Sequence, residues 1–158
     1  MRLLPLALMT AVVAGGPVFA QSPTRTAPIL TEAGALTALK AAERLAVAEH
    51  EPSAIAVVDA DGLLLAFVRM DDARPGCIEL AIGKARSAAL MQRPTEELEA
   101  NAANGRVGLA TAGLTALRGG APLRTGGIVV GAIGVAGLKK ENDAKTAASV
   151  SAGFPLER

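Results

Sequence analysis

Two short apolar runs separated by Asp61-Gly62 constrain this chain more than any other feature of its sequence. The runs cover 53–59 and 63–70. An Asp-Gly turn between apolar runs is a strong β-hairpin signal, because the turn requires a positive φ that glycine adopts without strain. The sequence therefore predicts two antiparallel strands. Since both runs are almost wholly apolar, we expect both strands to be covered on both faces.

Helical patterns surround this hairpin. Thr31 is a good N-cap for a first helix, which the residue before Pro52 should end. A second helix is predicted over 77–91. A short third helix should start at Pro94-Thr95, with Thr95 as its N-cap. The stretch 101–118 is interrupted by glycines, and it indicates neither helix nor strand.

A second hairpin is predicted around Gly126-Gly127, between a run that follows the glycine-proline turn at 119–122 and the apolar run 128–135. Asn142 or Asp143 should then begin a final helix over 144–152. The order helix, hairpin, two helices, hairpin, helix predicts an α+β fold, in which helices pack on an antiparallel sheet.

The N-terminal residues have the pattern of a secretory signal. Arg2 precedes the apolar run 3–13, a Gly-Pro break follows, and small residues at 18–20 suit cleavage after Ala20. The run is too short to span a bilayer comfortably, so we expect removal rather than anchoring. The predicted organisation is a signal peptide at 1–20, a flexible leader at 21–30 and a single domain at 31–158. Such a protein is periplasmic or secreted.

Charge and composition narrow the range of partners. Arg2 is one of 16 basic residues, and without it the basic residues equal the 15 acidic residues in number. A neutral chain without a Lys/Arg block argues against nucleic acid or an acidic membrane surface as the main partner. Small residues dominate the core, so each buries little area, and a homo-oligomer would bury more. Cys77 is the only cysteine, and we expect it to be buried and inert.

No motif of metal or nucleophilic catalysis is present in the sequence. There is no CxxC, HExxH, Walker loop or GxGxxG, and a catalytic triad would have to use His50, which has no nucleophile elbow nearby. The sequence therefore predicts no catalytic residue.

Arg69, Asp71 and Lys84 form the best polar constellation. We expect Arg69 and Asp71 to face one mouth with the Lys84 helix, because the second strand leads into that helix through a short loop. One interpretation is a cationic pocket for a carboxylate or a haem propionate, floored by the N–H groups of Gly119 and Gly120. The alternative is an Arg69–Asp71 or Lys84–Asp ion pair that joins helix to sheet.

One face of the second helix carries few ordinary solvent residues; its members are Leu80, Gly83, Lys84, Ser87 and Met91. A glycine inside a helix costs about 1 kcal/mol relative to alanine, so it often marks the close approach of another group. This face lines a pocket or a subunit contact in one interpretation. In the other, it is a partly exposed face that tolerates a glycine.

Five motifs in order, at 57–62, 69–71, 81–88, 119–123 and 131–137, resemble those of the GlcG/HbpS haem-binding family, which includes the C-terminal domain of PduO. The resemblance spans about 30–154 and includes Asp143. Two departures are the alanine at 136, where the family usually has serine, and 138–142, which replace a glycine-rich turn. From the constellation and the motifs we predict a ligand site; its residues are Arg69, Asp71, Lys84, Ser87, Gly119, Gly120, Pro122 and Asp143.

The resemblance implies a profilin-like domain, a homo-oligomer and haem as the cofactor. One branch of the family degrades haem, so the resemblance leaves an enzymatic role open. His50 is a candidate iron ligand, since neutral imidazole often ligates haem; alternatively it only contacts the last carbonyls of its helix. Met70 is either a soft ligand or a core residue.

Three functions follow as hypotheses. The first is an exported haem-binding accessory protein, with Arg69 or Lys84 near the propionates. The second is a small-carboxylate-binding protein, or a weak enzyme, in which Arg69 and Lys84 hold an organic acid and Asp71 exchanges a proton. The third is a ligand-free oligomeric scaffold, in which the face around Ser87 is a subunit contact.

Overall fold

The computed structural model describes Thr24 and residues 26–155. Four helices and four strands form this part of the chain, and a 3-10 segment, Val107–Ala112, follows the third helix. In chain order they are α1 (Glu32–Ala48), β1 (Ala54–Asp59), β2 (Leu64–Arg69), α2 (Cys77–Met91), α3 (Thr95–Ala103), β3 (Gly120–Thr125), β4 (Ile128–Ala136) and α4 (Lys140–Gly153). The predicted signal peptide, 1–20, lies outside the described residues, as does most of 21–25.

The four strands form one antiparallel sheet in the order β2-β1-β4-β3. Each hairpin predicted from a glycine turn is present, with Gly62 at φ +80° and Gly127 at φ +81°. The two hairpins meet through β1 and β4, which are therefore the central strands. The predicted α+β fold is confirmed.

Helices cover both faces of this sheet. α1 and α4 pack on one face, around the branched side chains of Ile55, Val57 and Ile133. α2 packs on the other face, where its core partners are almost all alanines. Since alanine side chains are short, the α2 backbone lies close to the strands, and the Lys84 side chain reaches the Val135 carbonyl near the end of β4. This close approach positions the polar cluster described below.

β2 differs from its predicted environment. Only Ala66 of this strand is buried, whereas Leu64 and Leu65 are exposed, because β2 is an edge strand and no helix covers that end of it fully. A β-bulge also lies between Leu64 and Ala66, where Leu65 is an extra residue without a β1 partner of its own. The prediction that this strand is buried on both faces is wrong. For β1 the same prediction is confirmed.

The starts of α3 and α4 also differ from the sequence prediction. Thr95 is the first residue of α3 rather than its N-cap, and its hydroxyl turns away from the helix to the edge of the sheet. α4 begins at Lys140, so Asp143 lies inside its first turn instead of capping it. The Thr31 cap of α1 is confirmed: its hydroxyl accepts a hydrogen bond from the Gly34 N–H at 3.2 Å.

Two further observations concern the N-terminal part. Leu30 is buried in the core beside α1, so the described end of the predicted leader packs against the domain. Across the described residues, no helix is long and apolar enough to cross a membrane.

Candidate functional site

A buried ion pair lies at the end of the sheet where β4 leads into α4. The Lys84 Nζ of α2 is 2.9 Å from Asp143 Oδ2 and donates a second hydrogen bond, 2.8 Å long, to the Val135 carbonyl. Both charged side chains are 4% exposed. Of the alternatives left open by the sequence, the structure therefore contains the Lys84–Asp pair that joins helix to sheet.

The hydrogen bond from Lys84 to the Val135 carbonyl determines where β3 begins. The Gly119 carbonyl accepts a hydrogen bond from the Val135 N–H, but the Val135 carbonyl is occupied by Lys84. Gly119 turns away with φ +114°, and a Cβ at this position would lie 2.7 Å from the Val135 carbonyl oxygen and 3.0 Å from Lys84 Nζ. Only glycine fits this combination of positive φ and contact. Lys84 thus takes the place of one backbone hydrogen bond between Gly119 and Val135. Gly119 lies directly over the lysine ammonium group.

The carboxyl of Asp143 has two anchors. Oδ2 pairs with Lys84, and Oδ1 accepts a 2.7 Å hydrogen bond from the Gly137 N–H. Burial raises the pKa of this carboxyl above its usual range, and the effects of Lys84 and of Gly137, which act in the opposite direction, are smaller. The nearby carboxylate of Glu51 raises the same pKa further.

Glu51 completes the polar cluster from the opposite side. Its Oε1 accepts hydrogen bonds from the N–H groups of Leu138 and Lys139, at 2.9 and 2.8 Å, and its Oε2 accepts one from Asn142 Nδ2 at 3.1 Å. Unpaired N–H groups at a helix start are favourable partners for a carboxylate. A residue that follows α1 therefore caps α4, whose own N-cap residue makes no side-chain capping bond.

An apolar groove lies next to this cluster, and we call it the β3–α4 groove. Its volume is about 220 Å³, and small residues form most of its lining, together with Pro94 and Glu96. The lining residues are Pro94, Glu96, Gly119, Gly120, Ala121, Ala144, Ala148, Ser151 and Ala152. Gly119 separates the groove from Lys84, and Ala144, which lines the groove, follows Asp143. The ion pair therefore lies directly behind one end of the groove.

The outer edge of β3 is occupied where it meets this groove. The Gly120 N–H donates to Thr95 Oγ1 at 2.9 Å, and the Ser151 hydroxyl donates to the Pro122 carbonyl at 2.6 Å. Pro122 has no N–H to leave unpaired, and proline in a sheet is typical of such an edge. Side chains and a proline thus satisfy the backbone groups that an edge strand normally exposes.

The structure does not bring Arg69 and Asp71 to the same mouth as Lys84. They line a separate groove of about 380 Å³, together with Glu43, Val68 and Met70. Lys84 lines neither groove, since it is buried behind Gly119. The expected common mouth is wrong because Lys84 points along the sheet toward α4, whereas Arg69 ends an edge strand.

Ser87 and Gly83 are covered by the chain itself. The Ser87 hydroxyl accepts a hydrogen bond from the Thr115 N–H at 2.8 Å, and a Cβ on Gly83 would lie 2.3 Å from Thr115 Oγ1. The predicted close approach is present, and the group that approaches is the segment before β3. This part of the α2 face is therefore an internal contact rather than a pocket or a subunit surface.

The remaining candidates lie outside the β3–α4 groove. His50 follows α1 with φ +52°, is exposed, and lines neither groove. Met70 is half-buried against the core on the α1 face. Cys77 is buried as expected, with Sγ 3.8 Å from the Gly137 carbonyl oxygen. Among the residues that the structure describes, no group of three or more His, Cys, Asp or Glu side chains could hold a metal ion.

Several residues that build this region were missed in the sequence. Glu51 gave no signal, because its partners are 87 to 91 positions away. Thr95 looked like a helix cap, since a threonine before two glutamates has that pattern. Ser151 and the alanines of α4 looked like an ordinary helix face. A groove built from small side chains has no sequence signature of its own.

The sequence and structure are similar to those of known proteins. A family model described as haem degrading protein HbpS-like matches residues 30–152. Protein GlcG of Escherichia coli K12 is 39% identical over 112 residues, which cover 70% of this chain and 84% of GlcG.

The fold is also found in solved structures. A crystal structure of a double mutant of Streptomyces reticuli HbpS has a TM-score of 0.77 at 31% identity, covering 92% of this chain and 99% of the other. A crystal structure of a PduOC–haem complex has a TM-score of 0.74 at 29% identity, covering 80% of this chain and 96% of the other.

Proposed function

This chain belongs to the HbpS-like family, and from that membership we propose that it is an exported haem-binding accessory protein that works as a homo-oligomer. The observation that carries the haem proposal is the likeness of nearly the whole described domain to PduOC in a complex with haem. The family description, which names haem degradation, supports a haem-related role as well.

The β3–α4 groove is the place where we propose that haem binds. Its methyl-rich surface suits the apolar face of a porphyrin. Its volume of about 220 Å³ lies below the range of roughly 300–1,000 Å³ that is usual for ligand pockets, so a porphyrin would be only partly enclosed by one subunit. Among the described residues that line it, none is a histidine, cysteine or methionine, so these residues fit the macrocycle and supply no axial iron ligand of these types.

The carboxylate hypothesis is less well supported by the geometry. Lys84 is already paired with Asp143 and is buried, so it is not available to an organic acid. Arg69 shares its groove with the acidic side chains of Glu43 and Asp71, which oppose an anion there. The scaffold hypothesis loses the contact on which it depended, because Ser87 is covered by the chain itself.

Hemin titration of the purified domain tests the proposal. We expect a Soret band that shifts and saturates at a defined stoichiometry. Ala148→Trp should weaken hemin binding at least about tenfold by filling the groove, which corresponds to about 1.4 kcal/mol. Ser149→Trp is the matched control, because Ser149 is the neighbouring exposed residue of α4 and does not line the groove.

The outcomes separate haem binding from its location. A wild-type protein without any spectral change on hemin addition would contradict the function. Equal hemin affinity in the Ala148→Trp and Ser149→Trp proteins would instead place haem elsewhere. Since His50 lines neither groove, we expect His50→Ala to retain the Soret band. Loss of that band on this substitution would make His50 the iron ligand.

Export is proposed from the sequence of residues 1–20 alone. Expression of the full chain, followed by N-terminal sequencing of the protein in the periplasmic fraction or the medium, tests it. We expect the mature protein to begin at Gln21. An uncleaved chain in the cytoplasm would contradict the proposal.

A further inference from the structure

An asparagine directly before a glycine ends α3. The sequence has three asparagines, and the residues that follow them are Ala102, Gly105 and Asp143. The side-chain amide of an asparagine is open to attack by the backbone nitrogen of the next residue, and a side chain on that residue hinders the attack. Glycine has no Cβ, so its nitrogen stays accessible. Asn104-Gly105 is therefore the most reactive of the three pairs by sequence.

The surroundings of this pair do not restrain it. Asn104 and Gly105 are both exposed, and a Cβ on Gly105 would meet no other atom within 4 Å. Gly105 has φ +89°, a conformation that glycine commonly adopts after a helix. Among the described residues, none forms a hydrogen bond with the Asn104 side chain. Its amide is therefore in contact with water and free to turn toward the next peptide bond.

Backbone hydrogen bonds hold this end of α3 closed. The Gly105 N–H donates to the Ala102 carbonyl at 3.1 Å, and the Arg106 N–H donates to the Asn101 carbonyl at 3.0 Å. The Gly105 nitrogen can attack only when the first of these bonds opens. Bonds at an exposed helix end open far more easily than those of a core, so the fold slows the attack without preventing it.

The other two asparagines are better protected. Asn142 donates from Nδ2 to Glu51 Oε2 at 3.1 Å, and the residue after it, Asp143, is buried. Asn101 lies within α3 and precedes an alanine, whose Cβ hinders the attack. These two residues are therefore internal references for the reactivity of Asn104.

We propose that Asn104 is a site of spontaneous deamidation, at which the amide is converted to aspartate and isoaspartate. The Gly105 nitrogen loses its proton and bonds to Asn104 Cγ, while the Cγ–Nδ2 bond breaks and ammonia leaves with that proton. Water then opens the resulting succinimide at either of its carbonyls. The reaction thus consumes water and releases ammonia. The inference is independent of haem binding and of the proposed oligomer.

Both products should loosen the last turn of α3. A carboxylate at residue 104 lies beside the last carbonyls of a helix, where negative charge is unfavourable. The last turn holds no basic residue to balance it, and Arg106 lies beyond the helix. Isoaspartate also lengthens the backbone before Gly105, which moves the Gly105 and Arg106 N–H groups away from their acceptors. We therefore expect faster hydrogen exchange at these amides in the modified protein.

Ageing of the purified protein, followed by peptide mapping with mass spectrometry, tests the site. We expect residue 104 to gain the mass difference between an amide and a carboxylic acid. The gain should be several-fold faster at mildly alkaline than at neutral pH, because the attacking nitrogen must lose its proton. Asn101 and Asn142 should keep their amides over the same period. An Asn104 that stays an amide for as long as Asn101 would contradict the proposal.

Two variants separate the reaction from its effect on α3. Asn104→Gln keeps an amide but must form a larger, less favoured ring, so its mass and its exchange at Gly105 and Arg106 should not change with age. Asn104→Asp carries the product charge from the start and should exchange faster than fresh wild type at these amides. If aged, modified wild type exchanges no faster than fresh wild type, the proposed loosening of α3 is wrong.

Discussion

Among single residues, Lys84 is the one whose replacement we expect to cost the most stability, because its partner stays buried. Lys84→Met leaves the Asp143 carboxyl without its cation, and breaking a buried pair on one side costs about 3–5 kcal/mol. Lys84→Met combined with Asp143→Asn removes both charges and keeps an acceptor for the Gly137 N–H. We expect its free energy of unfolding to return toward the wild-type value in urea titrations.

The control for this prediction is an exposed pair on the same fold. Lys145 pairs with Glu49 at the surface, where an ion pair contributes far less to stability than a buried one. Lys145→Met should therefore change the free energy of unfolding far less than Lys84→Met. If Lys84→Met is as mild as Lys145→Met, the buried pair does not stabilise the fold.

Asp143 should also leave a signature in the pH dependence of stability. Burial raises the pKa of its carboxyl in the folded state above the ordinary value of 3.8. The folded protein then holds a proton that the unfolded chain has released, so this group's contribution to stability is present below 3.8 and is lost as the pH rises through the folded pKa. Wild type should lose stability relative to Asp143→Asn over that interval.

The measurement is a carboxyl-carbon NMR titration together with urea titrations at several pH values. A titration midpoint of Asp143 below its ordinary value would show that pairing with Lys84 outweighs burial. In that case the slope of stability against pH would have the opposite sign.

At the residue scale, sequence reasoning selected part of the polar cluster but not its arrangement. Lys84, Gly119 and Asp143 were all selected, and the structure brings them into contact. Arg69 and Asp71 were selected with them but belong to another groove. Residue type shows which side chains are polar, and position along the chain shows which of them lie close to a turn. The direction of a long lysine side chain depends on packing that only the assembled fold determines.

At the scale of elements, the start of α4 depends on Glu51. Glu51→Gln keeps one acceptor oxygen but loses the charge that attracts the N–H groups of Leu138 and Lys139, just before the helix. We expect a loss of about 1–2 kcal/mol in the free energy of unfolding. Hydrogen exchange should become faster at Leu138 and Lys139, while the amides of α2 keep their rates.

Glu49→Gln is the matched control, because it makes the same chemical change two residues earlier at an exposed site. It should leave exchange at the start of α4 unchanged. Equal effects of the two substitutions would mean that the field of nearby charges, rather than the hydrogen bonds of Glu51, holds the helix start.

Elements were predictable where a local signal determined them. Glycine turns located both hairpins, and Thr31 located the start of α1. The environment of β2 was not predictable, because an apolar run has the same pattern at the centre of a sheet and at its edge. The predicted starts of α3 and α4 are wrong for a related reason: Thr95 and Asp143 bond to backbone groups outside their own helices.

At the scale of the whole molecule, the class of fold followed from the order of elements, whereas the groove did not. The α+β order requires helices on an antiparallel sheet. The order of elements does not predict a space between α4 and β3. This space depends on the small side chains of Ala144, Ala148 and Ala152. Small side chains thus make the core tight on the α2 face and leave a depression on the other face.

The dependence of α4 on Glu51 also has a consequence for the order of folding. A helix whose cap is supplied by a residue about ninety positions earlier cannot be stabilised by its own segment, so it gains that support only when the β1 end of the chain is in place. Closing so long a loop is entropically costly, and contacts of this kind form late. We therefore expect α4 to become ordered after the sheet on which it rests.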